Sequence, residues 1–281
     1  VSRDKTAPGK PSKSKPASGK PPPSRPQSGK PAGGKAAAPK TPGGHSSGKK
    51  LSAKAKDPRF AERVHTAHKR SLSSIIWLQR QLNDPYVMRA KEEGWRSRAA
   101  FKLIEIDEKH RMLKHGQIIV DLGAAPGGWS QYAAKKVGSV SGKAGKVVGI
   151  DLLPIEPIAG VMLAEMDFTE EDAPRQLLAM LDAEPGQRVV DGVLSDMAAN
   201  TTGHRKTDHL RIVGLTEMAV AFTIEVLKPG GFFVTKLFQG GETAAMITLL
   251  KQHFSVVKHV KPQSSRADSA ELYVLATGFK G

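Results

Sequence analysis

Six polar side chains fall where apolar runs start or stop, and together they describe a reaction centre. Ile118-Ile119-Val120 runs into Asp121, and KVVGID ends on Asp151. Asp167 follows the run 161–166, and VVDGVLSD ends on Asp196. GFFVTK ends on Lys236, and Glu271 stands at the start of the run 271–277. A polar residue at one strand end is unremarkable. Six of them make a site, because open α/β sheets bind ligands at the carboxyl ends of their strands. An acid closing the second strand can accept both hydroxyls of a ribose. A lysine after an apolar strand is a candidate proton acceptor.

The turn after the first run narrows the ligand. Gly123-Ala124-Ala125-Pro126-Gly127-Gly128 leads into the helical pattern Trp129-Ser130-Gln131-Tyr132-Ala133-Ala134. A buried strand, a tight turn and a helix start form a nucleotide-binding βα unit. The turn is neither the GxGxxG of dinucleotide enzymes nor the GK[ST] of a P-loop. It holds no lysine for a β/γ-phosphate, which argues against an ATPase. Residues this small let the backbone approach a ligand closely. The ligand implied is an adenosine cofactor without polyphosphate, and S-adenosylmethionine fits best.

These residues need a scaffold, and the pattern supplies one. Strands are predicted at 117–122, 146–151, 161–166, 189–195, 231–237, 255–260 and 271–277, and helices at 128–137, 171–182, 208–228 and 241–253. Such alternation implies parallel strands covered by helices. The last two strands are joined by PQSSRADSA, too short for an easy parallel crossover, so an antiparallel pair is expected. That direction brings Glu271 to the edge where the other five polar residues lie. Upstream, Asp57-Pro58 reads as a helix start for 59–82, broken by Asn83-Asp84-Pro85. A further helix is predicted over 97–113, with Phe101, Leu103 and Ile104 facing inward.

Charge is unevenly spread along the 281 residues, whose net charge is +16. Residues 1–56 hold 12 Lys, 2 Arg and one Asp, so nearly all the excess sits there. This Lys/Pro/Gly-rich tail, with Gly-Lys-Pro at 9–11, 19–21 and 29–31, has too few large apolar side chains to offset ordering entropy. A disordered basic tail is expected, either a tether to RNA phosphates or a solubilising extension. A helical extension is expected over 57–90 and the catalytic domain over 91–281. Cysteine is absent, which excludes disulfides and thiolate metal sites. No apolar run reaches the ~20 residues of a membrane span, and no secretory signal is visible. A cytoplasmic monomer without metal is expected. His65 and His68 have a spacing that could face a metal, but with no Cys or carboxylate cluster beside them they read as surface histidines.

At this point the residues resemble a known family. GAAPGGWSQ, DLLP at 151–154, SDMA at 195–198, TKLFQG at 235–240, ELYVLATGF at 271–279 and WRSRAAFKL at 95–103 are similar to the FtsJ/RrmJ (RlmE) ribosomal RNA ribose 2′-O-methyltransferases. The motifs occur in order from about residue 85 onward. The resemblance implies a Rossmann-like class I S-adenosylmethionine-dependent methyltransferase, with a seven-stranded, mostly parallel sheet carrying one antiparallel strand. It implies a catalytic tetrad of Lys102, Asp196, Lys236 and Glu271. It implies a cofactor set of Gly127, Trp129, Asp151, Asp167 and Asp196. The substrate implied is a uridine of large-subunit ribosomal RNA, on the assembled subunit. The long basic tail departs from the compact family pattern and inherits no role.

The chemistry these residues would perform is proton removal from a weakly acidic ribose hydroxyl. Lys236 can act as base only as the neutral amine. Burial and the second cation, Lys102, favour that form, whereas Asp196 and Glu271 favour the ammonium. Lys236 could instead orient the hydroxyl as a cation. Plainer accounts exist for each residue: a solvated Lys102, a helix-capping Asp196, an edge-strand Glu271, a core Trp129. The stretch Thr201–Lys206 and the flank Lys69, Arg70, Arg80, Arg89, Lys91, Arg96 and Arg98 could meet RNA phosphates. Two other functions stay open: the same reaction on another RNA, and a non-catalytic ribosome-assembly protein.

Overall fold

A computed structural model describes residues 64, 66, 68, 70–198, 204–238, 243–266, 269 and 271–281. Seven strands form one sheet in the order β3-β2-β1-β4-β5-β7-β6. They are β1 (Ile118–Leu122), β2 (Lys146–Asp151), β3 (Met162–Glu165), β4 (Val190–Ser195), β5 (Leu227–Phe238), β6 (Phe254–Val260) and β7 (Glu271–Phe279). Strands β1 to β5 run parallel, and β7 is antiparallel to both β5 and β6, as the short last connection predicted.

The helices are α1 (Leu72–Leu82), α2 (Pro85–Glu92), α3 (Ala100–His110), α4 (Gly128–Val137), α5 (Ala173–Met180), α6 (Arg205–Val226) and α7 (Thr243–His253). They cover both faces of the sheet. Successive strand residues point to opposite faces, and β1 shows the result. Ile119 joins a core with Leu103 and Ile106 of α3 and Ala133 of α4. Val120 and Leu122 join the opposite core with Leu177 of α5, Val220 of α6 and Leu250 of α7. Burial on both faces explains why β1 reads as a continuous apolar run rather than an alternating one.

Several expected element limits shift. Of the helix predicted over 59–82, residues 59–63, 65, 67 and 69 lie outside the described residues, and α1 starts at Leu72, where the Ser71 side chain accepts from Ser74 N and caps it. Asp57 and Pro58 lie outside the described residues, as does the whole tail 1–56. The break at Asn83-Asp84-Pro85 is also a new start: Asp84 caps α2 through Tyr86 N, with Pro85 in the first turn. Helix α2 therefore runs across the boundary expected at residue 90. The helix predicted over 97–113 ends at His110, where Arg111 turns left-handed at φ 51° and the Asp107 side chain accepts from Leu113 N. Finally, β5 starts at Leu227, four residues early. Leu227 pairs with Val190 before a register shift, and Gly230 takes φ 82° in the bend that follows. Among the described residues no helix is long and apolar enough to cross a membrane.

Candidate active site

Three strands and a helix bring the four expected catalytic residues together. In the β5–β7 ladder, Lys236 faces Tyr273 and Phe238 faces Glu271. Opposed and alternate residues share a face, so Lys236, Tyr273 and Glu271 all lie on the α3 side of the sheet. Ser195 of β4 pairs with Thr235 of β5, which puts Asp196, one residue on, level with Lys236. Lys102 reaches in from the first turn of α3.

The contacts are close. Lys236 Nζ lies 3.0 Å from Asp196 Oδ1 and donates to the Asp196 carbonyl at 2.7 Å. Lys102 Nζ lies 3.3 Å from Glu271 Oε2 and 3.9 Å from Asp196 Oδ2. The Lys102 side chain is only 11% exposed, which answers the plainer account of a solvated lysine, and Lys236 is 5% exposed. Two ammonium groups and two carboxylates balance in charge, which is how buried ions are tolerated.

Tyr273, absent from the expected set, sits at the centre of this cluster. Its hydroxyl accepts from Lys102 Nζ at 2.8 Å and donates to Asp196 Oδ1 at 2.9 Å. Burial, then the Asp196 and Glu271 carboxylates, push its phenol well above the ordinary value, so it remains a donor. The signal was present in Glu271-Leu272-Tyr273, where period-2 spacing puts both polar residues on one face. Trp129 is buried behind it. Its ring lies 5.7 Å from that of Tyr273, and its Nε1 donates to the Ala99 carbonyl at 2.8 Å.

A cleft of about 770 Å³ opens at the carboxyl ends of β1, β2 and β4. Gly123, Ala125, Asp151, Asp167, Phe168, Asp196 and Met197 are in its lining. Asp151 accepts from Ala125 N and Leu153 N, both at 2.9 Å, which ties the β1 turn to the β2 turn. A carboxylate offers about four lone-pair sites, so capacity remains for ligand hydroxyls. Hydrogen bonds from the Thr169 hydroxyl and then its N–H hold Asp167 below the ordinary carboxylate range. Gly123 has φ 78°, and a Cβ there would come within 2.8 Å of Met197 Cγ. Only glycine lets these two turns close up.

Not every expected residue lies in the cleft wall. Gly127 has φ 107° and packs where a Cβ would meet Ile158 Cδ1 at 2.4 Å, away from the lining. Trp129 also lies outside the lining. Asp121 is a correction to the set of strand-end residues: it is fully buried and accepts from Ser130 Oγ at 2.6 Å. Burial pushes its carboxyl up to about 7, with the Ser130 bond opposing and the Asp196 and Asp151 charges adding.

Three arginines of the basic flank have partners within the fold. Arg96 donates to the carbonyls of Glu156 and Pro157, and Arg89 pairs with Glu93 while lying 4.5 Å over the Phe101 ring. Arg98 pairs with buried Asp84 at 2.6 Å and donates to the Ser264 carbonyl. These arginines brace the fold. Lys69, His65 and residues 201–203 lie outside the described residues. Among the described residues no group of His, Cys, Asp and Glu could hold a metal.

A second cavity, about 380 Å³, lies on the other side of the cluster and is lined by Lys102 and Glu271 together with Arg80, Arg98 and Arg266. A mostly parallel sheet ending 5-7-6, a glycine-lined cleft at its carboxyl edge and a Lys-Asp-Lys-Glu cluster beside it define a class I methyltransferase. The chain belongs to the FtsJ-like methyltransferase family, whose model matches residues 95–279. It is 65% identical over 219 residues to the ribosomal RNA large subunit methyltransferase E of Xanthobacter autotrophicus, covering 78% of this chain and 84% of that protein. Against the protein of the same name from Bradyrhizobium diazoefficiens it is 62% identical over 229 residues, covering 82% and 98%. The crystal structure of a ribosomal RNA methyltransferase from Plasmodium falciparum aligns with TM-score 0.57 and 30% identity, covering 66% of this chain and all of that one.

Proposed function

We propose that this enzyme transfers a methyl group from S-adenosylmethionine to the 2′-OH of a uridine ribose in large-subunit ribosomal RNA. The assembled subunit in the cytoplasm is its substrate, and the enzyme acts as a monomer without metal, in ribosome biogenesis. One observation carries this reading. Asp196 lines the cleft of the cofactor type, while Lys102 and Glu271 line the cation-rich cavity, so the cluster is the wall between the two. A reaction centre joining an adenosine cofactor to a polyanion needs that layout.

The cofactor, when bound, supplies an electrophilic methyl on a sulfonium. Asp151 and Asp167 accept from hydroxyl or amino groups of its nucleoside, with Phe168 and Met197 as apolar walls. Gly127 and Trp129 support this cleft from behind, through the turn and through Tyr273. On the substrate side, Lys236 meets the ribose hydroxyl. Its ammonium has three donor directions, and Asp196 takes two through its carboxylate and carbonyl. The third orients the hydroxyl in line, which is where most of the rate advantage arises. The hydroxyl proton leaves late, to solvent, as the new bond forms, because an ammonium has no lone pair to take it. Lys102, held by Tyr273 and Glu271, keeps Asp196 aimed at Lys236.

The test is methyl transfer from labelled S-adenosylmethionine to large subunits lacking ribose methylation, beside free ribosomal RNA and transfer RNA. Wild type and Lys236→Ala run in parallel. Label at a uridine 2′-OH of the subunit, lost in the variant, is expected. Label only on transfer RNA would move the substrate. Binding of S-adenosylmethionine with no label on any RNA would make the chain an assembly protein instead.

A further inference from the structure

Helix α1 lies upstream of the residues that match the family model, and its exposed side carries a feature that the methyl-transfer chemistry does not use. Trp77 is 54% exposed on a helix none of whose residues is fully buried. Among the described residues its indole has no aromatic partner, whereas Trp95 packs on Tyr132 and Trp129 on Tyr273. One helical turn further on, Arg80 and Gln81 line the 380 Å³ cavity. Residues three and four apart share a helix face, so the indole stands beside the cavity mouth.

The cavity is chemically one-sided. Among the described residues, Arg80, Arg98, Lys102 and Arg266 line it with one carboxylate, Glu271. Asp84, which is buried, answers Arg98 at 2.6 Å and Arg266 at 3.4 Å. Among the described residues, two arginines share that one carboxylate, which leaves an excess of cation beside a space of phosphate-plus-sugar size. Lys102 and Glu271 also belong to the reaction cluster. A ribose whose 2′-OH reaches Lys236 carries its 3′-phosphate on the neighbouring carbon. The phosphate flanking the reacting hydroxyl must therefore pass within a few bond lengths of this cavity.

We infer that Trp77 and Arg80 of α1, with Arg266 across the cavity, form a subsite for the nucleotide adjoining the methylated one. The flanking phosphate sits among the arginines, and the neighbouring base, splayed from its helix, stacks on the Trp77 indole. An exposed aromatic beside a cationic groove is the recurring platform for single-stranded RNA. The subsite makes α1 part of substrate recognition and explains why so large an apolar side chain stays in solvent. The inference rests on the RNA reading above, and its test separates the two.

The test measures binding of the RNA fragment that wild type methylates, in a form already methylated at the target, together with KM and kcat on the unmethylated fragment. Trp77→Ala is expected to weaken binding and raise KM about tenfold, equivalent to about 1.4 kcal/mol. Its affinity for S-adenosylmethionine should be retained, which shows that the fold is intact. Trp77→Phe should keep most of the affinity, because a phenyl ring still stacks. The quenching of tryptophan fluorescence that RNA causes in wild type should be largely absent in Trp77→Phe. Arg80→Ala should lower the slope of log binding constant against log salt by about one. Met88→Ala, equally exposed on α2, is the control that leaves binding unchanged. Wild-type binding with equal affinity and equal KM in Trp77→Ala overturns the subsite and leaves the RNA reading standing. Wild type that neither binds nor methylates any RNA overturns both.

Discussion

Lys236 and Tyr273 stand directly opposite each other across the antiparallel β5–β7 ladder. Both reach Asp196 Oδ1, the amine at 3.0 Å and the phenol at 2.9 Å. One carboxylate oxygen thus serves two donors, and Lys102 holds the phenol from the other side at 2.8 Å. The cluster is a chain, Lys102 to Tyr273 to Asp196 to Lys236, rather than four independent side chains.

Tyr273→Phe breaks that chain while keeping the ring against Trp129. We expect kcat to fall tenfold or more, with the affinity for S-adenosylmethionine unchanged. Stability should fall by about 1–2 kcal/mol, because Lys102 loses a buried partner. Single-turnover rates beside cofactor titration read both effects. An unchanged rate would show that Tyr273 only fills space.

Lys102 and Glu271 should differ in weight. Lys102 contacts Tyr273, Glu271 and Asp196, whereas the recorded contacts of Glu271 in the cluster go to Lys102 alone. The Glu271 side chain is also 25% exposed, against 11% for Lys102. Lys102→Ala should cost 10²-fold or more in kcat, in the range ~10²–10⁴ typical of positioned acid–base groups. Glu271→Gln should cost roughly tenfold or less. Equal losses would contradict the order of contacts seen here.

Asp151→Asn tests the cofactor cleft. The carboxylate accepts from two backbone N–H groups, and an amide oxygen can keep only part of that set. The affinity for S-adenosylmethionine should fall tenfold or more by calorimetry, with RNA affinity retained. Loss of both together would point to collapse of the β1 and β2 turns instead.

Asp121 gives a pH signature. Its carboxyl lies near 7 in the folded protein, against an ordinary 3.8, because it is fully buried. Between those values the folded form keeps a proton that the unfolded chain releases. The contribution is therefore full below about pH 4, declines as pH rises, and is flat above about pH 7. Asp121→Asn removes this dependence while keeping an acceptor for Ser130. Relative to wild type the variant should gain up to about 4 kcal/mol from pH 4 to pH 8 in denaturant unfolding. A pH-independent difference between the two would show that Asp121 ionises normally.

Much of this could be read without coordinates because buried parallel strands write themselves as apolar runs. Lys146–Asp151 and Gly128–Val137 fall on their predicted limits, and the antiparallel β7 follows from one short loop. Helix starts set by local capping were harder. Ser71 caps α1, and a propensity stretch of 24 residues (59–82) does not reveal which polar residue within it will act as a cap. The basic flank needed the tertiary structure for a related reason. Arg89, Arg96 and Arg98 look like an RNA surface in one dimension, and only their partners Glu93, Glu156, Pro157 and Asp84 show that they brace the fold.

The sequence by itself determined the fold class and, at strand ends, Asp196, Lys236 and Glu271, because strand ends are local properties of the chain, whereas Lys102 entered through the family resemblance of its segment. Tertiary structure alone decided how those residues connect. Tyr273 became the centre because a ladder register, a helix turn and a strand end converge on one buried phenol. Asp121 left the site because its side chain turns into the core, where burial favours the protonated acid. Contacts between residues 77 to 171 positions apart in the chain, such as Lys102 to Tyr273 and Asp196 to Tyr273, are set by packing, and no local pattern encodes them.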